Sequence, residues 1–294
     1  MFDVEFMKKL EYLAMVSKRL FDGRAFGRRR SVRSGTGIEF SDHRNYVFGD
    51  DLRRVDWNVF ARLGSLLIKR FQEDDDLTVT FFLDCSRSMN TGQSNKFDYA
   101  RRVIAALAYI VLCGMDRVEI VAYGGKCKDR LWPVRGREQI TQVLDFLQGC
   151  RACADRSDLS SATHEFIASA RRPGMVVVVS DFYEKDGFEH AVDRLCFNHD
   201  EPVLIQIHDE SEKSPSLQGD FELVDCEQGQ TRRITIDAAM LARYKKRFQE
   251  FLDHIKNYSV EHGLGCVIAS SAIEFDKLIL DMLRRAWLVR STRG

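Results

Sequence analysis

Residues 77–90 have the sequence Leu-Thr-Val-Thr-Phe-Phe-Leu-Asp-Cys-Ser-Arg-Ser-Met-Asn, and this stretch decides the fold. Its first half, residues 77–83, has the apolar and β-branched character of a strand that is buried on both faces of a parallel sheet. The strand pattern stops at Asp84, Ser86 and Ser88, three small oxygen-bearing side chains at alternate positions. Ligands of open α/β sheets bind just beyond the carboxyl ends of strands. The stretch therefore predicts a site of hard oxygen ligands suited to Mg²⁺, with an ordinary turn that caps the next helix as the alternative.

Composition places the chain among soluble globular proteins. Its 294 residues are enough for one large domain or two modest ones. Of these residues 45% are hydrophobic and 30% are charged, as is typical of a soluble globular protein. Lys+Arg and Asp+Glu both number 44, so net charge favours no class of partner. The longest apolar helical run, residues 103–113, is too short to cross a bilayer. The N-terminal residues lack the basic-then-apolar pattern of a signal peptide.

The cysteine pattern argues against a structural zinc site. Of the 8 cysteines, only Cys150 and Cys153 form a Cys-x-x-Cys pair, and no second pair stands at zinc-ligand spacing. Most of the others lie in apolar or helical contexts and are interpreted as reduced core residues. A cytoplasmic location is the default expectation for such a chain.

Strand-like and helix-like patterns alternate from residue 77 onward. Short β-prone runs predict strands at 77–83, 117–123, 128–134, 175–179, 202–207 and 266–269, with two short β pieces at 222–226 and 232–236. Apolar residues at helical spacing predict helices at 97–113, 137–148, 158–171, 188–197, 236–258 and 274–289. This alternation predicts an α/β fold, an open and mostly parallel sheet with helices on both faces.

The first 76 residues have a different character. Residues 4–20 predict an amphipathic helix, and residues 66–72 predict a strand. The polar stretch between them has too little apolar periodicity for a core of its own. We therefore predict an N-terminal helix and a wrapping segment over residues 1–76, followed by the α/β domain over residues 77–294. Ion pairs are expected in the wrapping segment among Arg44, Asp50, Asp51, Arg53, Arg54 and Asp56.

A basic segment raises the alternative of nucleic-acid binding. Seven Lys and Arg residues lie between Lys18 and Arg33, around the single acid Asp22, and a second basic stripe runs from Arg243 to Arg247. Such runs bind nucleic acids or anionic membranes, or they are solvated loops. The second interpretation is favoured because no aromatic stacking platform accompanies the basic residues.

The motif Asp84-Cys-Ser-Arg-Ser resembles the Asp-x-Ser-x-Ser of von Willebrand factor A domains, which carry a metal-ion-dependent adhesion site. In those domains a Thr from a later loop and an Asp after the fourth strand complete the site. Ser157 stands at the Thr position, with the hydroxyl retained, and Asp181 in Val-Val-Val-Val-Ser-Asp-Phe matches the Asp. The resemblance implies one Mg²⁺, or another divalent cation such as Mn²⁺ or Ca²⁺, held by Asp84, Ser86, Ser88, Ser157 and Asp181.

A segment upstream of this motif points to a narrower family. Gly-Ile-Glu-Phe-Ser-Asp-His-Arg-Asn-Tyr at 37–46, Gly-Asp-Asp-Leu-Arg-Arg-Val-Asp-Trp at 49–57 and Ala-Arg at 61–62 resemble the signature of domain-of-unknown-function family 58. These are bacterial proteins with a von Willebrand A-like, Rossmann-like core. The resemblance implies a MoxR-type AAA+ ATPase as partner, with a client protein as a further partner, in assembly, chaperone-like or metal-insertion tasks.

These features favour a binding module over an enzyme. The competing class is a metal-dependent phosphohydrolase, which also uses strand-end aspartates with Mg²⁺. Such enzymes commonly add a nucleophilic carboxylate or a base, whereas position 86 is Ser. A phosphate-binding cysteine loop that began at Cys85 would need an Arg shortly after it, and Asn-Thr-Gly at 90–92 supplies none. The chain also has no Gly-x-x-x-x-Gly-Lys-Ser/Thr motif for nucleotide phosphates. The expected function is thus magnesium-dependent capture of a partner carboxylate, without turnover.

Overall fold

The computed structural model of the chain describes residues 2–21, 34–35, 39–72, 77–92, 94–124, 129–152, 157–169, 171–217, 219–225 and 231–291. The chain forms two compact units, one of residues 1–26 together with 77–294 and one of residues 27–76. The basic segment at residues 24–33 lies outside the described residues. The wrapping arrangement of the first 76 residues stays a prediction.

In its described residues, the smaller unit contains a three-stranded antiparallel sheet and a short α-helix. Its strands are β1 (Ser34–Gly35), β2 (Glu39–Asn45) and β3 (Leu67–Gln72), in the order β1-β3-β2, and its helix is α2 (Trp57–Leu63). Arg44 and Asp50 form an ion pair with a 2.6 Å N–O distance, as predicted. Asp56 instead caps α2, because its Oδ1 accepts from Asn58 N at 3.0 Å, while its Oδ2 lies 3.0 Å from His43 Nε2. This helix and the strand β2 were not predicted.

The larger unit is built on a six-stranded sheet. Its strands are β4 (Thr78–Asp84), β5 (Arg117–Tyr123), β6 (Asp129–Arg135), β7 (Met175–Ser180), β8 (Glu201–His208) and β11 (Gly265–Ser270), in the order β11-β8-β7-β4-β5-β6. All pairs are parallel except the edge pair of β6 with β5. The predicted α/β class is confirmed, including the hairpin strand at residues 128–134. A separate antiparallel hairpin is formed by β9 (Gly219–Val224) and β10 (Thr231–Ile236).

Helices cover both faces of this sheet. Residues of α1 (Val4–Phe21), α3 (Lys96–Cys113), α4 (Ile140–Gly149) and α9 (Phe275–Ser291) share one hydrophobic core with the strands. Residues of α5 (Leu159–Ala168), α6 (Glu189–Phe197) and α8 (Ala238–Glu261) share the core on the opposite face, and a single turn, α7 (Glu210–Lys213), follows β8. Of the helices that the structure describes, none combines the length and hydrophobicity that would let it cross a bilayer.

The positions of β4 and β7 explain why a site forms where they end. Strand β4 is buried on both faces, with Phe81 and Leu83 in the core beside α3 and Phe82 in the core beside α5. From β4 the chain moves to β5 on one side, and β7 lies on the other side, so this pair is the switch point of the sheet. The register pairs Leu83 with Val179. The residues that follow each strand therefore emerge side by side.

We expect Gly174→Ala to destabilise the protein by about 1–3 kcal/mol, because a Cβ at this position would collide with the backbone carbonyl of Thr78. The backbone at Gly174 cannot easily move away from Thr78, because its N–H donates to Asp200 and its carbonyl accepts from Glu201 N at 2.9 Å. Guanidinium unfolding measures the change. The matched control is Gly149→Ala at the end of α4, where a Cβ meets no atom within 4 Å. That control is expected to be neutral or stabilising, and equal effects of the two substitutions would contradict the prediction.

Candidate metal centre

Asp84 is fully buried and lies at the centre of a cluster of oxygen atoms, of which those of Ser88 and Ser157 belong to slightly exposed residues. Its Oδ1 accepts from Ser86 N at 2.8 Å, and its Oδ2 accepts from the Ser180 hydroxyl at 2.6 Å and lies 3.2 Å from the Ser157 hydroxyl oxygen. The hydroxyls of Ser86 and Ser88 lie 2.9 Å apart. The Ser86 side chain caps no backbone N–H of the 3₁₀ turn that follows it, and Asn95 caps α3. The side chains therefore gather around Asp84, as the metal hypothesis requires.

Glu184 adds a carboxylate that the sequence interpretation missed. Its Oε1 lies 2.6 Å from the Ser157 hydroxyl, which donates to it, and 3.0 Å from the Leu159 N–H in the first turn of α5. Ser157 thus lies between two acids, Asp84 and Glu184, with one hydroxyl proton to donate. Glu184 comes from the loop after β7 and reaches the cluster only through the fold.

Asp181, the second predicted acid, is paired with a lysine. The Lys96 ammonium lies 2.8 Å from Asp181 Oδ2 and 2.6 Å from Glu212 Oε1. The Lys96 side chain is 0% exposed and that of Asp181 is 1% exposed. Burial by itself would lower the pKa of Lys96, but the attraction of Asp181 and Glu212 outweighs it, and the pKa stays above its ordinary value. Lys96 was missed because a lysine in the first turn of a helix is ordinarily exposed.

The loop that carries Asp181 is held in an unusual backbone conformation. Phe182 has a φ of 59°, in the left-handed region that bulky residues rarely adopt. Its N–H donates to the Ser180 hydroxyl at 2.8 Å, and its ring is buried with its centroid 5.2 Å from that of Phe188. The Ser180 hydroxyl therefore donates to Asp84 and accepts from the loop backbone at Phe182. The sequence interpretation did not assign this role.

The acidic groups of this cluster have raised pKa values. Burial raises the pKa of Asp84 to about 6, and the charge of Asp181 adds to the effect. Burial likewise raises the pKa of Glu184 to about 7, against the lowering effect of its bonds from Ser157 and Leu159. Burial, and after it the charges of Asp84 and Glu184, raise the pKa of the Tyr123 hydroxyl well above the usual range.

The donor set fits a small hard cation. Asp84 accepts hydrogen bonds from hydroxyls and a backbone N–H, and no cationic side chain is among its hydrogen-bond or ion-pair partners in the described residues. An ionised carboxylate that is buried without a cationic partner raises the free energy of the folded protein unless a bound cation compensates it. Within the described ranges, no three His, Cys, Asp or Glu side chains are grouped as a metal site, so the serine hydroxyls are needed to complete a shell. Carboxylates and hydroxyls together suit Mg²⁺ or a similar ion.

Comparisons with known proteins give relatives of unassigned role. The uncharacterized protein Rv1480 of Mycobacterium tuberculosis (strain ATCC 25618 / H37Rv) is 28% identical over 242 residues, which cover 81% of this chain and 76% of that protein. The uncharacterized protein MAV169 of Mycobacterium avium is 32% identical over 91 residues, covering 31% of this chain and 53% of that protein.

Solved structures align at low identity. The conserved hypothetical protein BatB from Bacteroides thetaiotaomicron aligns with a TM-score of 0.44 at 10% identity, covering 74% of this chain and 100% of that chain. Proximal thread matrix protein 1 from the mussel byssus, described with a zinc-occupied MIDAS motif, aligns with a TM-score of 0.41 at 10% identity, covering 71% of this chain and 47% of that chain. The sequence of residues 42–251 matches the family described as "Protein of unknown function DUF58". The chain belongs to this family, and the resemblance drawn from residues 37–62 is confirmed.

Proposed function

We propose that this protein is a non-enzymatic, metal-dependent protein-binding module. Asp84, Ser86, Ser88, Ser157 and Asp181 are the residues that would hold the cation, and Mg²⁺ is the ion that their chemistry favours. The observation that carries the proposal is the fully buried Asp84 carboxylate, surrounded by hydroxyls and compensated by no cationic side chain among the described residues. A bound divalent cation would neutralise Asp84 and offer a coordination position to a carboxylate oxygen of another protein.

The surroundings of the site support binding rather than turnover. Cys85 is fully buried in the core beside α3, with its Sγ 3.7 Å from the Leu83 carbonyl, so it is not presented as a nucleophile. Position 86 supplies a hydroxyl where aspartyl-phosphate chemistry would use a second carboxylate. Lys96 is neutralised by Asp181 and Glu212 and offers no free base.

The proposed partner is a MoxR-type AAA+ ATPase, which rests on the family resemblance, and a client protein would be a second partner. Recognition through a metal-bound carboxylate requires an exposed Asp or Glu on the partner. Such a contact depends on the metal and disappears with it.

The test combines magnesium titration with complex formation. We expect isothermal titration to show saturable Mg²⁺ binding, and we expect the complex with the purified MoxR-type ATPase of the same organism to form in Mg²⁺ and dissociate in chelator. Ser157→Ala is expected to weaken Mg²⁺ binding by about tenfold, because it removes a hydroxyl beside Asp84.

The matched control is Ser216→Ala, an exposed serine outside the cluster, for which no change in Mg²⁺ binding is expected. A complex equally strong in chelator would refute the metal dependence. Absence of Mg²⁺ binding to the wild-type protein would refute the site itself.

A further inference from the structure

Lys96 is a buried positive charge whose role the binding function does not explain. It lies in the first turn of α3, after the N-cap Asn95, and its ammonium bridges two carboxylates from different parts of the chain, Asp181 after β7 and Glu212 in α7. A buried ion pair is seldom a net source of stability compared with well-packed apolar residues, so the arrangement suggests another role. Asp181 is also a proposed ligand of the divalent cation, so Lys96 and that cation would share one carboxylate.

Glu212 is fixed independently of Lys96. Its Oε2 accepts from the Asp209 N–H at 2.9 Å, within a capping box that holds α7. Asp209 in turn accepts from Ser94 N at 2.8 Å, just before α3. Glu212 therefore remains in place whether or not Asp181 is engaged elsewhere.

The ammonium also has a third interaction besides the two carboxylates. The Tyr183 ring lies with its centroid 5.2 Å from Lys96 Nζ, within the range of cation–π attraction. Lys96 can thus give up its bond to Asp181 and keep Glu212 and Tyr183, without leaving a buried charge uncompensated.

We propose that Lys96 is a tethered cation that competes with the divalent ion for Asp181 and thereby sets the metal affinity of the site. With no divalent ion bound, the ammonium neutralises Asp181 and joins the start of α3 to the loop after β7. When the ion binds, Lys96 withdraws to Glu212. The inference rests on the proposed function, since it requires the Asp84 cluster to hold a cation. It assigns Lys96 and Glu212, neither of them a proposed ligand, opposite effects on affinity.

The ammonium of Lys96 repels a divalent cation and competes with it for Asp181, which gives the direction in which each substitution changes Mg²⁺ affinity. Lys96→Met removes the competitor and frees Asp181, so Mg²⁺ is expected to bind about tenfold more tightly. Glu212→Gln removes the charge that holds the withdrawn ammonium, so Lys96 rests on Asp181 more firmly and Mg²⁺ binding weakens by about fivefold. A merely structural role would make both substitutions weaken binding, or leave it unchanged.

The experiment is isothermal titration of Mg²⁺ into the wild-type chain, Lys96→Met and Glu212→Gln, with melting curves in chelator and in saturating Mg²⁺. Lys96→Met leaves Asp181 and Glu212 without their ammonium, so we expect it to melt at a lower temperature in chelator and to gain more from Mg²⁺ than the wild-type chain does. Lys96→Gln, which keeps a donor but loses the charge, provides a second variant that is expected to tighten binding too.

The outcomes separate this inference from the proposed function. If the wild-type chain binds Mg²⁺ but neither Lys96 substitution tightens binding, or if Glu212→Gln tightens it, the tethered-cation inference is overturned and the metal site stands. If the wild-type chain binds no Mg²⁺, the proposed function fails whatever the Lys96 variants do, and the inference that rests on it fails too. If none of these proteins binds Mg²⁺, both proposals fail together.

Discussion

Asp84→Asn is expected to abolish Mg²⁺ binding and, in the same protein, to raise the melting temperature measured in chelator. The raised pKa of Asp84 means that the folded protein disfavours the charged form of this residue at neutral pH. A shift from 3.8 to about 6 corresponds to roughly 3 kcal/mol. Asparagine removes the charge and keeps an oxygen that can accept from Ser180, but it loses one acceptor. The net gain is therefore expected to be about 1–2 kcal/mol, or a few degrees in melting temperature.

The two effects of this substitution must appear together. Mg²⁺ stabilises the wild-type protein because it binds the folded state, whereas it should leave the melting temperature of the Asp84→Asn variant unchanged. Thermal unfolding in chelator and in saturating Mg²⁺, combined with isothermal titration, measures both. A variant that melts earlier in chelator and still binds Mg²⁺ would show that Asp84 is a structural acid.

Asp200 provides a matched control for the same substitution. Its carboxylate is 0% exposed, like Asp84, but it is paired with Arg171 and accepts from Gly174 N at 3.0 Å. Asp200→Asn should therefore destabilise the protein, because it leaves the guanidinium without its charge partner. It should not change Mg²⁺ affinity. Opposite signs of stability change at two buried aspartates would locate the uncompensated charge at Asp84.

Arg130→Met is expected to destabilise the protein by about 3–5 kcal/mol, which is the usual cost of removing one partner from a buried ion pair. Glu119 is 1% exposed in the middle of β5, and its Oε1 accepts from Arg130 Nε at 2.5 Å. Its other oxygen accepts from the Thr80 hydroxyl at 3.1 Å in β4. Without Arg130 the Glu119 charge would be buried with a single neutral donor. Guanidinium unfolding should show a lower midpoint, and a melting temperature reduced by about 10 °C.

The double variant Glu119→Gln with Arg130→Met tests the cause. The glutamine removes the buried charge and can still accept from Thr80, so we expect it to recover more than half of the stability lost. No recovery would indicate that the loss comes from Arg130 packing instead, since its guanidinium also lies 4.2 Å from the Trp132 ring centroid.

The fold from β4 onward was predictable because each element carries its own periodic pattern. The ends of the helices were predicted less accurately than their presence. The helix predicted to Arg171 ends at Ala168, because the Ser169 hydroxyl donates to the Phe166 carbonyl at 2.7 Å and Pro173 follows closely. The smaller unit was underestimated because its β2 sequence is mostly polar, and polar strands show no apolar alternation.

The candidate site was predictable only where its residues are adjacent or resemble a known motif. Asp84, Ser86 and Ser88 are contiguous, whereas Ser157 and Asp181 required the family resemblance. Lys96 and Glu184 reach the site through tertiary structure, and no local pattern marks them. Glu212 did have a signal, since Asp-x-x-Glu over residues 209–212 is a capping-box pattern that the sequence interpretation passed over.

The left-handed backbone of Phe182 has a consequence for how quickly the site can respond. Its strain is held by a buried ring, so the energy of shaping the loop with Asp181 and Glu184 is supplied during folding rather than at the moment of recognition. For this loop, an incoming ion meets carboxylates that are already ordered, so shaping the loop costs no further entropy when the ion binds. Binding at such a centre therefore needs rearrangement of side chains, and not slow rearrangement of the main chain in this loop.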